Sequence, residues 1–416
     1  MTASVNAPAP ERHDVRTIGL VGLAHGSSHF FHLLLPPLFP WLIADFETNY
    51  AQLGVMVSLF FIVSGIGQML SGFLVDKVGA QRVLFAALTS FIVAGLVAAT
   101  ALNYYMLLAA SFFAGLGNAP FHPVDFTILN KRVTAKHIGH AFSVHGISGN
   151  IGWAMAPVVM LGVTTATGSW RLACVCGAAF AAIVLLIMWL NRRWLDDRAF
   201  DAETAPVAKT ATGTAAAKES QFAYMKLPVV WLCFAFFLFS TVALSVVQNY
   251  AGTALHLIYD MPITQTAFVV TGFMLCGAVG MIGGGFLAQR AQRLEVIIAT
   301  FLLLAAGCLA LVGTGWLPGS VALVVASVAG FGHGLAGPSR DMLIKRATPA
   351  GNTGRVYGTV YSGLDTGFAV AAPMFGWMMD HHLHHEVFFG AGIALAVSVW
   401  AATAVGVKLH SKQAKA

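Results

Sequence analysis

GLGNAPFHPVDFTILNKR, residues 115–132, returns in altered form as GFGHGLAGPSRDMLIKR, residues 330–346. One constant offset carries Gly115 to Gly330, Gly117 to Gly332, Pro123 to Pro338, Gly139 to Gly354 and Gly152 to Gly367. Arg132 and Arg346 match one residue out of step, and Asn150 falls opposite Asp365. Both copies lie among long apolar runs. A chain made of two tandem copies of one helical bundle follows the parallel-repeat plan of membrane transporters, whose binding sites lie between the copies near the bilayer midplane.

Composition agrees with a membrane setting. The 416 residues are 57% hydrophobic and only 10% charged, with a mean hydropathy of +0.76. Soluble domains carry about 25% charged residues, so this chain cannot clothe a water-facing surface. A spanning helix needs about 20 apolar residues. Twelve such spans are expected, at 17–43, 51–75, 83–102, 104–129, 138–163, 170–190, 229–256, 264–288, 294–314, 320–344, 355–379 and 387–408. The runs are continuously apolar and lack the alternation of a membrane β-barrel. The expected fold is therefore all-α. Residues 1–190 form an N-terminal six-helix bundle, 191–227 a cytoplasmic linker, and 228–416 a C-terminal six-helix bundle. The linker is rich in Ala, Thr and Lys and reads as a flexible connector.

Of the 23 Lys and Arg residues, all but Arg171 and Arg340 fall in loops or ends on one side of these spans. The positive-inside rule makes that side cytoplasmic, with both termini there, in an inner membrane. The net charge of +6 records this topology and does not indicate nucleic acid. The polar first 16 residues and the long first run argue against a cleaved signal. The five cysteines, Cys174, Cys176, Cys233, Cys276 and Cys308, all fall in spans and read as packing residues. No Walker loop or nucleophile triad occurs, so neither ATP drive nor enzyme chemistry is expected. No cofactor and no structural metal are expected either. The tract His381, His382, His384 and His385 resembles an adventitious metal binder more than a built site.

After the second span the chain reads Gly72-Phe-Leu-Val-Asp76-Lys77-Val-Gly79-Ala-Gln-Arg82. This resembles the signature loop of the major facilitator superfamily. The second half holds a degenerate counterpart without the acid, Gly285-Phe-Leu-Ala-Gln289-Arg290-Ala-Gln-Arg293. The resemblance implies that Asp76, Lys77 and Arg82 latch the two halves together on the cytoplasmic side. A narrower likeness comes from His25-Gly-Ser-Ser-His29, Pro36-Pro-Leu-Phe-Pro40, Phe121-His122-Pro123 and Gly146-Ile-Ser-Gly149-Asn150-Ile-Gly152. These look like the fosmidomycin-resistance branch, which implies proton-driven export. That branch often has Glu directly after the His-Pro pair. Here Val124 stands there, and the acid is Asp125.

Polar residues inside spans are costly in lipid, at least about 2.5–3.5 kcal/mol for a central charge. At 1.5 Å per residue, His25, His122, Asp125, His145, Arg340 and Asp341 occupy one layer nearer the basic loops. His29, Asn150 and Asp365 lie deeper. His122 and Asp125, three apart, share a helix face and suit mutual pairing. His25 and His29 share another, with His32 near it. Asp341 points about 100° around the helix from Arg340. His25, His29, His122, Asp125, His145, Arg340, Asp341 and Asp365 are therefore the candidate substrate and proton pathway. The expected function is secondary transport of a small organic solute, with proton-coupled export favoured by a monomeric protein in the bilayer. The alternative is a proton-linked importer of a small organic anion, suggested by Arg340 and the histidine layer. A membrane sensor is the reading from another class, disfavoured because no folded soluble domain is attached.

Overall fold

A computed structural model of the chain describes residues 10–198, 223–347 and 353–413. The described residues form helices and short 3-10 turns, with no strand among them. The first half holds α1 (Pro10–His32), α2 (Phe39–Phe46), α3 (Tyr50–Val78), α4 (Ala80–Ala99), α5 (Tyr104–Asn118), α6 (Phe121–Arg132), α7 (Ile138–Thr167) and α8 (Trp170–Leu190). The second holds α9 (Pro228–Asn249), α10 (Ala251–Tyr259), α11 (Phe268–Arg290), α12 (Leu294–Gly313), α13 (Gly319–Ala347), α14 (Thr353–Asp380) and α15 (His384–Gln413). A one-turn helix, Ile263–Thr266, precedes α11.

Local chemistry sets several boundaries. Asn49 and Gln52 form a reciprocal capping box that starts α3. Asn103 and Ser169 cap α5 and α8 by accepting from the amides of Met106 and Leu172. Gly79, at φ +96°, makes the sharp α3–α4 corner that a residue with a Cβ would strain.

Among the described residues, ten helices are long and apolar enough to cross a membrane. Two of the twelve expected spans differ. The span at 104–129 is broken at Ala119 and Pro120 into α5 and α6, each too short by itself. The span at 355–379 is a helix of 28 residues, but Ser362, Asp365 and Thr366 dilute its apolar character. Lipid-facing side chains such as Phe73, Phe286 and Trp400 are largely exposed, as a protein solvated by lipid requires.

The helices make two pseudo-symmetric bundles. In the first, α1 packs on α7, α4 on α8, and α3 on α5; in the second, α11 packs on α13, α9 on α14, and α12 on α15. Two pairs join the bundles, α3 with α14 and α7 with α11. Small residues permit the closest crossings. A Cβ on Gly152 would collide with the Gly26 backbone, and one on Gly334 with that of Gly277.

The linker expectation meets a partial correction. Residues 199–222 lie outside the described residues, Lys209 and Lys218 with them. Residues 191–198, expected to be flexible, are packed: Trp194, Leu195 and Asp197 are buried. The Trp194 carbonyl accepts from Thr17 Oγ1 at 3.2 Å, and Arg198 donates to the Lys77 carbonyl. An apolar Trp-Leu pair beside the bundle has more to gain from burial than from solvation.

Candidate functional site

Two polar assemblies lie back to back, one inside the first bundle and one between the bundles. The first centres on Asp125, whose side chain is fully buried. His145 Nε2 lies 3.1 Å from Asp125 Oδ2 and makes a hydrogen bond there. His25 Nδ1 lies 3.0 Å from the same oxygen, without hydrogen-bond alignment. Asp125 Oδ1 has no hydrogen-bond partner. The His25 and His145 rings stack at 3.5 Å with planes 24° apart. One carboxylate oxygen thus lies within 3.1 Å of two imidazoles and is hydrogen-bonded to one of them, a grouping whose protonation steps would be coupled.

The helices explain how these groups meet. The α5–α6 break directs α6 so that Asp125 faces α1. The glycine crossing of α1 and α7 at Gly26 and Gly152 brings His25 and His145 together. The expected pairing of His122 with Asp125 is not made. His122 Nδ1 instead lies 2.9 Å from Gln68 Oε1 on α3, because α3 passes on that side of α6.

A metal ion is the other species such a cluster suits. Ligand atoms of His25, Asp125 and His145 lie within 4.8 Å of one another, as do those of His25, His29 and His122. In the first group the His25 and His145 rings are stacked, and near-parallel imidazoles present their lone pairs side by side, whereas the ligands of a tetrahedral metal site converge. At the other face, His381 and His385 are engaged with the carbonyls of Trp377 and Gly313, both at 2.8 Å.

The second assembly is a cavity of about 180 Å³ between the bundles. Its wall includes Asn150 and Trp153 from α7, Phe237 from α9, and His333 and Arg340 from α13. Arg340 is its one charged lining residue among those described; no carboxylate lines it. The Arg340 guanidinium lies over the Phe237 ring at 4.9 Å. Its Nε also bonds Asp341 Oδ1 at 2.9 Å, although the two side chains leave the helix in different directions. The long arginine side chain closes that gap.

The remaining candidates take up other places. His29 packs on Trp153, with ring centroids 4.1 Å apart. Asp365, half-buried on α14, packs against Gly65 of α3 across the bundle contact. Asn150 Nδ2 meets Met281 Sδ of α11 at 3.0 Å. Asp76 is exposed in the last turn of α3 and has no hydrogen bond or ion pair among the described residues. Lys77 and Arg82 are likewise on the basic face.

Sequence reasoning passed over several residues. Asn118, Gln68, Trp153 and His333 contact or line the two assemblies. His32, noted only as lying near the His25–His29 face, bonds Asn118, and Asp380 bonds α3 of the other bundle on the far face. One signal was present: the repeat offset carries Asp125 onto Arg340 and Asn118 onto His333. Equivalent positions thus hold the acid of one half and the cation of the other.

With the geometry in place, comparison with known proteins is informative. The profile of the Major Facilitator Superfamily matches residues 21–364 and 230–415. An uncharacterized MFS-type transporter, YfnC of Bacillus subtilis, is 26% identical over 285 residues, 68% of each chain. A probable 4-methylmuconolactone transporter of Cupriavidus pinatubonensis is 31% identical over 153 residues, 36% of each. The fosmidomycin resistance protein of Escherichia coli is 26% identical over 170 residues, 41% of each. The latter two matches therefore span well under half of those relatives. Among solved structures, the nucleoside transporter NupG superposes with a TM-score of 0.71 at 17% identity, covering 94% of this chain and 99% of that one.

Proposed function

Since the chain belongs to the major facilitator superfamily, and is thus a multi-pass secondary transporter and not an enzyme, we propose that it carries a small organic anion together with a proton into the cell. The reading rests on one observation: Arg340 is the charged group described in the cavity wall, while the acid that would carry the proton, Asp125, is fully buried inside the first bundle and does not line that cavity.

Export by exchange, which the first bundle's motifs favoured, works best when proton and solute compete for one group. Here the two would bind apart, so both can be aboard at once. A cation in the cavity attracts a carboxylate, with a charge-assisted hydrogen bond supplying orientation. The bound proton offsets the charge of the anion during the crossing. The cavity volume supports the same substrate class. At about 180 Å³ it lies below the roughly 300–1,000 Å³ of pockets for drug-sized ligands. One relative is named as a probable transporter of 4-methylmuconolactone, a small solute. The basic residues support an inner-membrane protein with both termini cytoplasmic. One chain encloses the whole cavity, so a monomer suffices.

The test is uptake into proteoliposomes with 4-methylmuconolactone and benzoate as anionic probes and a neutral lactone as control. An outward-acid gradient should drive accumulation of an anionic probe. Accumulation only when the gradient is reversed would restore the export reading. No gradient dependence in either direction would remove proton coupling altogether.

A further inference from the structure

Beyond Asp125, three histidines of α1 stand in file through the interior of the first bundle. His25, His29 and His32 lie at helical spacing on one face. Ring centroids are 4.5 Å apart between His25 and His29, and 5.0 Å between His29 and His32. The Nδ1 atoms of His29 and His32 are buried and have no hydrogen-bond partner. Buried polar atoms are rarely left so, and neighbouring rings repeat the omission.

The far end of the file is fixed by hydrogen bonds. Asn118 donates through Nδ2 to Ser64 Oγ at 2.7 Å, which leaves its Oδ1 to accept from His32 Nε2 at 2.9 Å. That bond places the His32 proton on Nε2 and leaves Nδ1 as a proton acceptor. Past His32 lies a small cavity of about 20 Å³, lined by Leu35, Pro36, Met56 and Ser111 among others. This is room for about one water, on the side of the bundle away from the basic loops. At the near end, His25 faces Asp125, His145 and His122. Along the file, His29 meets Trp153 of α7, and a Cβ on Gly149 would stand 2.6 Å from the His29 ring.

We propose that His32, His29 and His25 form a proton path that delivers protons to Asp125 from the face opposite the basic loops, separately from the solute cavity. The path rests on the proton-coupling reading above and supplies its missing route. Protons pass from the small cavity to His32 Nδ1, along the imidazoles by successive transfer, and onto the Asp125–His145 pair. No step oxidises or reduces anything. Trp153 is the partition: its ring touches His29 and His32 on one side and lines the solute cavity on the other.

The same indole supplies the measurement, since a protonated imidazole against it quenches its fluorescence. The full chain is reconstituted in vesicles sorted for one orientation and given a stopped-flow acid jump from either side. The Trp153 signal is isolated by difference from Trp153→Phe. Quenching should follow a jump from the face opposite the basic loops. It should be lost in His29→Gln and slowed at least about tenfold in His32→Gln. Gly149→Ala, which displaces the His29 ring without removing it, checks that the loss is not misfolding: it should weaken quenching while near-normal Trp emission is kept. Quenching that arises only from the basic side, or that His32→Gln leaves at full rate, overturns the path. Gradient-driven transport with a Trp153 signal insensitive to His29 and His32 leaves coupling standing and removes the path. A sound Trp153 response without gradient-driven transport keeps the path and removes the coupling reading.

Discussion

Asp380, the last residue of α14, caps the first turn of α3 in the other bundle: its Oδ1 accepts from the Tyr50 amide at 2.8 Å, and its Oδ2 from the Ala51 amide at 2.9 Å. A carboxylate at the positive end of a helix is stabilising, and here it joins two bodies that must separate. Close backbone contacts back it up, Gly54 against Ala372 and Gly376 against Tyr50. Ser58 also donates to the Ala369 carbonyl across the same seam. On this face the second bundle's acid bonds the first bundle, while Asp76 on the basic face has no hydrogen bond or ion pair among the described residues.

Asp380→Ala should therefore favour opening of this face. Loss of an N-cap costs about 0.5–2 kcal/mol, or a shift of about 2- to 30-fold between the two facing states. Spin labels at Leu102 and Trp316, both highly exposed loop residues on that face, read the separation by electron–electron distance measurement. The longer-distance population should grow. An unchanged distribution would make the cap incidental.

Asp76→Asn should leave the melting temperature almost unchanged, within about 0.5 kcal/mol of stability, because the carboxylate is exposed here. Turnover should nonetheless fall if the loop engages when the basic face closes. Unimpaired transport would reduce Asp76 to a surface charge of the loop.

Asp125→Asn mimics a carboxyl that never releases its proton. Gradient-driven accumulation should vanish, with the internal and external probe concentrations becoming equal. Exchange of labelled for unlabelled probe at equal pH should persist in part. Full uphill transport by this variant would make Asp125 a structural partner of His145.

Arg340→Gln should raise KM for anionic probes by about 10- to 150-fold, the equivalent of the roughly 1.5–3 kcal/mol of a hydrogen bond to a charged group. Neutral solutes should be spared. An equal loss for neutral and anionic solutes would mean that Arg340 shapes the cavity without reading charge.

Gly152→Ala should destabilise by about 1–3 kcal/mol through overpacking, since its Cβ would meet the backbone of Gly26. Gly162→Ala has open space around it and serves as the control. Thermal denaturation in detergent separates the two. Equal melting temperatures would show that the α1–α7 crossing can relax.

The sequence alone determined the membrane setting, the helical class and the two-bundle plan. Those properties follow from quantities that local residues carry: hydropathy over a span, charge in a loop, and similarity at a fixed offset. Asp125, His25 and His145 were legible as a layer because depth is simple counting along a helix. Which of them touch was not legible, because azimuth depends on how helices cross. His122 turns to Gln68 because of where α3 runs, and Arg340 reaches Asp341 because its side chain is long enough to bridge the turn. Trp153 read as an ordinary apolar-span residue, and His32 only as a neighbour of the His25–His29 face, until α1 and α7 are brought together over Gly26, Gly149 and Gly152. Asp380 read as part of a histidine-rich loop, since nothing near it in sequence reveals that its partner is an α3 amide more than three hundred residues away. Helix ends have no side-chain signature for a distant cap, so only the packed bundles decide which carboxylate closes which helix.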